Sequence, residues 1–455
     1  MTTLYCARWV LPVSSRMIEN GAVAVEGDSI AGVGERAALH RKFPEARLAE
    51  YGEAAILPGL VNAHSHLELT AMRGYLEDVE ADFLKWLWKL TVARLERMTP
   101  DDLYVSAAWG AVEAARAGVT CLGDASSEAG FGLRALRDTG LRGTVYHESF
   151  GPDPLLAQEN FEKLRERVAE LRQYEDATVR LGVSPHSPYT VSPRQLELIT
   201  DFALAERLPL MMHAAESRAE EQFVREALGP FAERHAGRGI EWRARGVSPI
   251  RYLKDVGVLR ARPLLAHCVR VDLADIETIK QSGASVAHCP KSNAKLGHGH
   301  APFAAFLEHG LTVGLGSDSV ASNNTCDILE EARFAALMSR ADAGQLGAGP
   351  IMTGCDEVLF AATRGGARAL GLEDQTGALS EGLQADLAIF SLDGPHQLPV
   401  HDPVRALVFA SSGRDALLTV VAGREVYRDG RVQTVDEERL GARMKEIVKA
   451  VASDK

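Results

Sequence analysis

Between residues 57 and about 372 the chain alternates short apolar runs with longer stretches of helical period, and this alternation constrains the fold more than any other feature. The runs are 59–63, 119–123, 144–146, 179–183, 208–212, 263–266, 284–287 and 311–315. Each is mostly apolar and too short for a buried helix, which is how a strand covered on both faces reads. The segments between include 101–117, 157–172, 193–207 and 272–281, with 326–339 after the last run. Strands that alternate with helices call for a parallel sheet, and eight of them predict an α/β fold, a (β/α)8 barrel of TIM type with insertions. A doubly wound open sheet is the alternative. It is weakened because no G-x-G-x-x-G opens a helix after a strand.

The flanks read differently. Residues 1–57 hold short strands and turns, as in Ala22-Val23-Ala24-Val25-Glu26-Gly27-Asp28-Ser29-Ile30. Strands return after 375, at Gly377-Ala378-Leu379, at Ala385-Asp386-Leu387-Ala388-Ile389-Phe390 and at Thr419-Val420-Val421-Ala422-Gly423. Tyr427-Arg428-Asp429-Gly430 has hairpin-turn chemistry, and 434–451 reads as a terminal helix. The expected organisation is a small β-sandwich module built from both chain ends, 1–57 and 375–455, around a barrel over 58–374. No internal repeat or low-complexity segment interrupts it.

Composition removes several function classes. The net charge is −12 in 455 residues, with no basic run, so a nucleic-acid backbone is not the expected partner. No apolar run is long enough to span a bilayer, and residues 1–18 lack a basic segment followed by an apolar one. The six cysteines are scattered and form no C-x-x-C pair, as expected of reduced thiols in a cytoplasmic protein.

Histidines carry the chemistry. Leu57-Pro58-Gly59-Leu60-Val61-Asn62-Ala63-His64-Ser65-His66 ends the first run in H-x-H. In extended backbone, alternate side chains share a face, so both imidazoles stand about 7 Å apart along the strand and can share one ion. Chance supplies about 0.4 such pairs in a chain of this composition, so context must decide. A second pair, His298-Gly299-His300, falls in a glycine-rich loop and is read as a loop pair at the mouth rather than as ligands. The first pair has company. His147 follows the third run, His186 the fourth, His213 the fifth, His267 the sixth, His288 the seventh and Asp318 the eighth. Parallel barrel strands all end at one rim, where active sites of this fold lie. Three imidazoles and a carboxylate suit Zn²⁺ or Fe²⁺ with a position left for water. Glu216, three residues beyond His213, is placed to serve that water as general base and then general acid.

These residues resemble the amidohydrolase superfamily, and more narrowly its chlorohydrolase and nucleoside-deaminase branch. The resemblance rests on His64-Ser65-His66, His213-x-x-Glu216, His267 and Gly316-Ser317-Asp318-Ser319. Ser184-Pro185-His186-Ser187-Pro188-Tyr189, Cys289-Pro290-Lys291-Ser292-Asn293-Ala294-Lys295-Leu296-Gly297 and Gly377-x-Leu379-x-x-Gly382-x-x-Ala385-Asp386-Leu387 extend it over nearly the whole chain. It implies one divalent metal ion, zinc ahead of iron, held by His64, His66, His213 and Asp318. Glu216, His267 and Asp318 would carry the catalysis, and His186 would contact the heterocycle. Two-metal relatives place a carboxylated lysine at the fourth strand. Residues 179–190 contain Arg180 and His186 but no lysine.

Two groups of the branch come nearest. Met72-Arg73-Gly74, Glu77-Asp78, Trp86-Leu87 and Ser322-Asn323-Asn324 resemble methylthioadenosine/S-adenosylhomocysteine deaminases. Those enzymes carry a ribose-binding Glu after the Trp-Leu, where this chain reads Ala93-Arg94-Leu95-Glu96 with Leu95 at the matching position. They also carry an Arg after the third strand, where this chain reads Tyr146-His147-Glu148-Ser149-Phe150-Gly151-Pro152-Asp153. That stretch and His66-Leu67-Glu68-Leu69 look more like aminodeoxyfutalosine deaminases. Both groups act on adenine bearing a modified ribose. Trp86, Glu96, His147 and Glu148, with His186, are the expected substrate contacts, and Arg94 is a further pocket candidate. Other readings are hydrolysis of guanine, pterin or triazine substrates or of a C–Cl bond, and a non-catalytic scaffold. A homodimer is compatible with the branch. Glu68 completes an H-x-E with His66, but the Pro-Cys-x-x-Cys of the cytidine-deaminase fold is absent.

Overall fold

A computed structural model describes residues 2–345 and 353–452. Eight parallel strands form the barrel. The first four are Leu60–Ser65, Val119–Ser126, Arg142–Ser149 and Val179–Pro185. The last four are Met211–Ala214, Leu264–His267, Ser285–His288 and Val313–Leu315. Each set is a four-stranded parallel ladder. Single bridges join them into a ring, Val183 to Leu210 on one side and Ser65 to Asp318 on the other. The expected barrel is therefore what the chain forms, strand by strand.

Alternation along these strands sorts their side chains. Cys121, Tyr146, Met211, Leu264 and Ala287 pack together inside the ring. Leu122, Val145, Met212, Leu265 and Val286 face outward into the core shared with the helices. Those helices begin and end where local chemistry dictates. Thr99 caps Pro100–Arg116 through a capping box, and Ser192 caps Pro193–Glu206. Gly140 closes Ala129–Thr139 in the left-handed conformation that an L side chain resists.

The flanks form one nine-stranded sheet drawn from both chain ends. Ala54–Pro58 pairs parallel with Thr2–Val10 and antiparallel with Leu387–Ser391, which joins the two contributions. Ala55, Leu57, Ala388 and Phe390 pack toward the barrel, while Ile56 and Ile389 pack into a second core on the opposite face. Gly377-Ala378-Leu379 is not a strand, because its backbone turns with Gly377 at φ 91°. The terminal helix spans Glu437–Ala452. A buried ion pair, Arg142 Nε to Asp386 Oδ2 at 2.7 Å, pins the third barrel strand to this sheet. Among the described residues no helix is long and apolar enough to cross a membrane.

Candidate metal centre and substrate cavity

The first strand is bulged where it matters. Asn62 pairs with Leu122 but Ser65 with Asp124, so three steps on one strand match two on its neighbour. Bulges re-aim side chains beside active sites. Here the bulge swings His64 inward, and the chain stays extended long enough to keep His66 on the same side. Asp124 then fixes the exit. Its Oδ1 accepts from the backbone N–H of Leu67 at 2.7 Å and from the Ser65 hydroxyl at 3.1 Å.

Four donor atoms converge at this rim. His66 Nε2 lies 3.2 Å from His213 Nε2. Asp318 Oδ1 is 3.4 Å from His64 Nε2 and 3.5 Å from His66 Nε2. His64 Nε2 is buried without a hydrogen-bond partner. The surrounding residues orient each lone pair. His213 Nδ1 donates to the carbonyl of His186 at 3.0 Å, which leaves Nε2 unprotonated. Ser292 and Ser322 hydroxyls donate to Asp318 Oδ2 at 2.6 and 2.9 Å, which leaves Oδ1 facing the histidines. Burial pushes His64 down to about 4 and His213 well below the usual imidazole range, so both are neutral. Burial opposes ionisation of Asp318, but the adjacent His64 and the neighbouring imidazoles of His267 and His66 hold its carboxyl well below the usual carboxylate range. Burial opposes protonation of His66, but the charges of Glu148 and Asp318 raise it. The ligand atoms of His64, His66 and His213 lie within 4.8 Å of one another, as do those of His64, His267 and Asp318. Imidazoles gathered with an ionised carboxylate are the donor set of a divalent metal site. The geometry fits a cation and leaves His64 Nε2 without any other use.

Glu216 and His267 stand beside this cluster. The backbone turns sharply after the fifth strand, with Ala215 at φ 52°. Glu220 holds the turn by accepting from the N–H groups of Ala215 and Glu216 at 2.8 and 2.9 Å. Glu216 Oε1 comes to 3.8 Å from His267 Nε2. His267 Nδ1 pairs with Asn293 Oδ1 at 2.9 Å. Burial, reinforced by the charge of Asp318, raises the Glu216 carboxyl to about 8. A group poised there can hold or release a proton near neutrality.

These residues form the floor of a cavity of about 340 Å³. One wall is polar. Glu68 accepts from the Ser126 hydroxyl at 2.7 Å and the Ser127 N–H at 3.1 Å, and it pairs with Arg94 at 3.3 Å. Ser127 is hydrogen-bonded to Arg94 and donates to Glu148 Oε2 at 2.9 Å. Glu148 Oε1 is buried with no hydrogen-bond partner, 3.9 Å from His186 Nε2. His186 is fixed through Nδ1 by Thr190 at 2.9 Å, and burial pushes it down to about 3. The facing wall is apolar: Trp86, Leu87 and Leu90 come from helix Phe83–Val92.

The expected contacts divide by strand and helix geometry. Trp86, Glu148 and His186 line the cavity. His147 and Glu96 are not among the described residues that do. Along the third strand Tyr146 and Glu148 share the inner face, so His147 shares the outer face with Val145. In the π-helical segment Ala93–Arg97, Arg94 turns inward while Leu95 and Glu96 are exposed. His288 stacks on Phe303 at 5.2 Å, away from the lining. The orienting residues are Ser127, which sequence reasoning did not single out, and Ser292, Asn293 and Ser322, which stood within its motifs without a role. Their signal was adjacency to strand ends, which a serine shares with any loop.

Comparison with known proteins then decides the family. Residues 55–426 match the amidohydrolase family. The chain belongs to that family. A shorter match, at 21–46, is to an imidazolonepropionase-like composite domain of bacteria. This amidohydrolase is 32% identical over 423 residues to a 5-methylthioadenosine/S-adenosylhomocysteine deaminase of Pelotomaculum thermopropionicum, covering 93% of this chain and 92% of that protein. It is 35% identical over 384 residues to one of Halobacterium salinarum, covering 84% and 83%. An adenosine deaminase of Xanthomonas campestris solved with bound zinc superposes with TM-score 0.85 at 26% identity, covering 99% of this chain and 98% of that one. An atrazine chlorohydrolase of Arthrobacter aurescens complexed with zinc gives 0.84 at 25%, covering 98% and 100%. The protein is thus a hydrolytic enzyme of this family with a candidate metal site at the barrel rim.

Proposed function

We propose that this amidohydrolase deaminates the adenine ring of a nucleoside with a modified ribose, of the aminodeoxyfutalosine or methylthioadenosine/S-adenosylhomocysteine type, releasing ammonia. The observation that carries the reading is the position of Glu216, between the His/Asp cluster and a cavity with one polar and one apolar wall. The relatives' names place the same chemistry on proteins that match over nearly the full chain.

His64, His66, His213 and Asp318 would hold one divalent ion, and zinc is the proposed one. When bound, such an ion supplies Lewis acidity that acidifies water near neutral pH. The chain's own groups supply the rest. Glu216 takes a proton from the attacking water and delivers it to a ring nitrogen. The second water proton passes to the amine, whose C–N bond breaks to release ammonia as the ring carbon becomes a carbonyl. His267, its Nδ1 tied to Asn293, and Asp318 aim that water at the ring carbon bearing the amine. His186 is neutral and presents Nε2 to the heterocycle. Glu148 offers Oε1 to a hydroxyl or N–H of the substrate, and Trp86 covers its apolar face. Arg94 is already paired with Glu68 and shapes the wall rather than neutralising a ligand charge.

The likeness to a triazine-type chlorohydrolase favours a second reading, hydrolysis of another aminated heterocycle or a C–Cl bond. The buried, unpartnered Oε1 of Glu148 can accept from a sugar hydroxyl, and this favours a nucleoside. Ammonia release from aminodeoxyfutalosine, methylthioadenosine, S-adenosylhomocysteine, adenosine and guanine separates the readings. Turnover of guanine or a triazine with no turnover of any adenine nucleoside overturns the first.

A further inference from the structure

The second H-x-H pair is not a free loop at its first residue. His298 lies between Gly297 at φ 70° and Gly299 at φ 99°, backbone that residues with a Cβ resist. This course brings the His298 N–H to the carbonyl of Asn293 at 2.9 Å. The ring then packs edge-on against Phe83, centroids 4.6 Å apart, and its side chain is only 7% exposed. Its Nε2 is buried without a hydrogen-bond partner and lies 3.6 Å from Glu216 Oε1. On the other side of that oxygen stands His267 Nε2, at 3.8 Å. Asn293 anchors both rings, His267 through its side chain and His298 through its carbonyl. One residue therefore sets both walls of a slot around Oε1.

A buried ring nitrogen left unpaired is costly, and a leucine would fill the space against Phe83 without that cost. The group within reach that can use it is the Glu216 carboxyl. We infer that His298 is a positioning residue for Glu216: its Nε2–H donates to Oε1, fixes the plane of the carboxyl, and leaves Oε2 as the oxygen that takes up and releases the proton. The present separation is longer than a hydrogen bond, as catalytic contacts commonly are before substrate binds, and a small rotation of either side chain closes it. Phe83 opens the helix that also brings Trp86 to the cavity, so the packing that holds His298 comes from a wall the substrate touches.

This inference rests on the reading of Glu216 as proton carrier, and the test separates the two. His298→Gln and His298→Leu both fill the loop, but only glutamine can donate a hydrogen bond. With the best adenine nucleoside as substrate, H298L is expected to lower kcat about ten- to a hundredfold with KM within about threefold and metal content unchanged. H298Q is expected to recover most of that loss. In a Glu216→Gln background H298L should add no further loss. Equal kcat for H298L and H298Q, or an effect confined to KM, overturns the positioning role. An additive loss in the Glu216→Gln background does the same. An active E216Q protein instead overturns the reading of Glu216 itself.

Discussion

The two halves of the barrel are built differently, and the difference follows the chemistry. The first four strands run 6, 8, 8 and 7 residues, and the last four run 4, 4, 4 and 3. The long strands carry Ser126, Glu148 and the approach to His186 to the rim in extended backbone, and with Glu68 and Arg94 they make the substrate-side wall. Three of the four short strands break off into the left-handed region, at Ala215 (φ 52°), at His267 (φ 76°) and Cys268 (φ 47°), and at Asp318 (φ 57°). Residues with a Cβ avoid that region, and it recurs where function overrides local preference. Buried hydrogen bonds hold the turns. Glu220 takes two N–H groups behind Glu216, and Asp318 N–H donates to His64 O at 2.9 Å. Metal-side groups are thus set by strained turns, substrate-side groups by ladder. The bulged first strand bridges the two by sending His64 and His66 across to the metal side.

If that division is right, losses should differ in kind between the halves. The largest belongs to Asp318→Ala, which removes one of the four proposed donors and the acceptor shared by the Ser292 and Ser322 hydroxyls. Metal should fall well below stoichiometric on elemental analysis, and kcat/KM should drop by about ten-thousandfold, the loss of several kcal/mol of transition-state stabilisation. Stoichiometric metal in that variant would move Asp318 out of the ligand set. Glu216→Gln comes next. It keeps shape and hydrogen bonding but cannot carry the proton, so kcat should fall about 10²- to 10⁴-fold with metal retained. Retained turnover would refute the proton role.

On the substrate side the expected change is in binding. Glu148→Gln should raise KM about ten- to a hundredfold, the worth of a hydrogen bond to a charged group, while kcat stays within a few-fold. His147→Gln, one residue earlier but on the outer face, should leave both constants within about twofold. A matched loss in the two variants would show that the alternation along the third strand does not sort function as argued.

That pair also shows how far the sequence could be read. The barrel was legible because eight apolar runs admit few other arrangements. The His/Asp cluster was legible because parallel strands force their ends together, whatever the loops do. Which of His147 and Glu148 looks into the barrel depends on a strand that continues to Ser149, beyond the apolar stretch that marked it. Once Tyr146 is known to face inward, period two settles the matter. Glu96 and Arg94 were ambiguous for the helical counterpart of this reason, since a π-helical turn shifts the register by a residue. His298 was illegible because glycines on both sides signal a mobile loop as readily as a forced turn. Only the packing of Phe83 and the hydrogen bond to Asn293 tell them apart.

The smallest expected effect tests what holds the short-strand turns. Glu331 is fully buried behind Asp318. It accepts from the Asn323 amide at 2.6 Å, and the same amide donates to the carbonyl of Ser317. Burial raises its carboxyl to about 8, against the opposing pull of the Asn323 hydrogen bond. An unfolded glutamate titrates near 4.5. Between these values the folded chain holds a proton that the unfolded chain has released, so stability must fall as pH rises through the window. The stabilisation is complete below about pH 4.5 and lost as pH passes about 8. Glu331→Gln cannot titrate and still accepts from Asn323. Chemical unfolding at about pH 5 and about pH 8 should show the variant losing less stability across that interval than the parent, by at least about 1.4 kcal/mol, the equivalent of one pKa unit. Buried Glu216 and Glu220 are also raised to about 8 and are unaltered in both proteins, so their slope cancels in the difference. Parallel slopes would mean that Glu331 is already ionised in the folded protein. The Asp318 turn would then rest on a buried charge rather than a neutral acid.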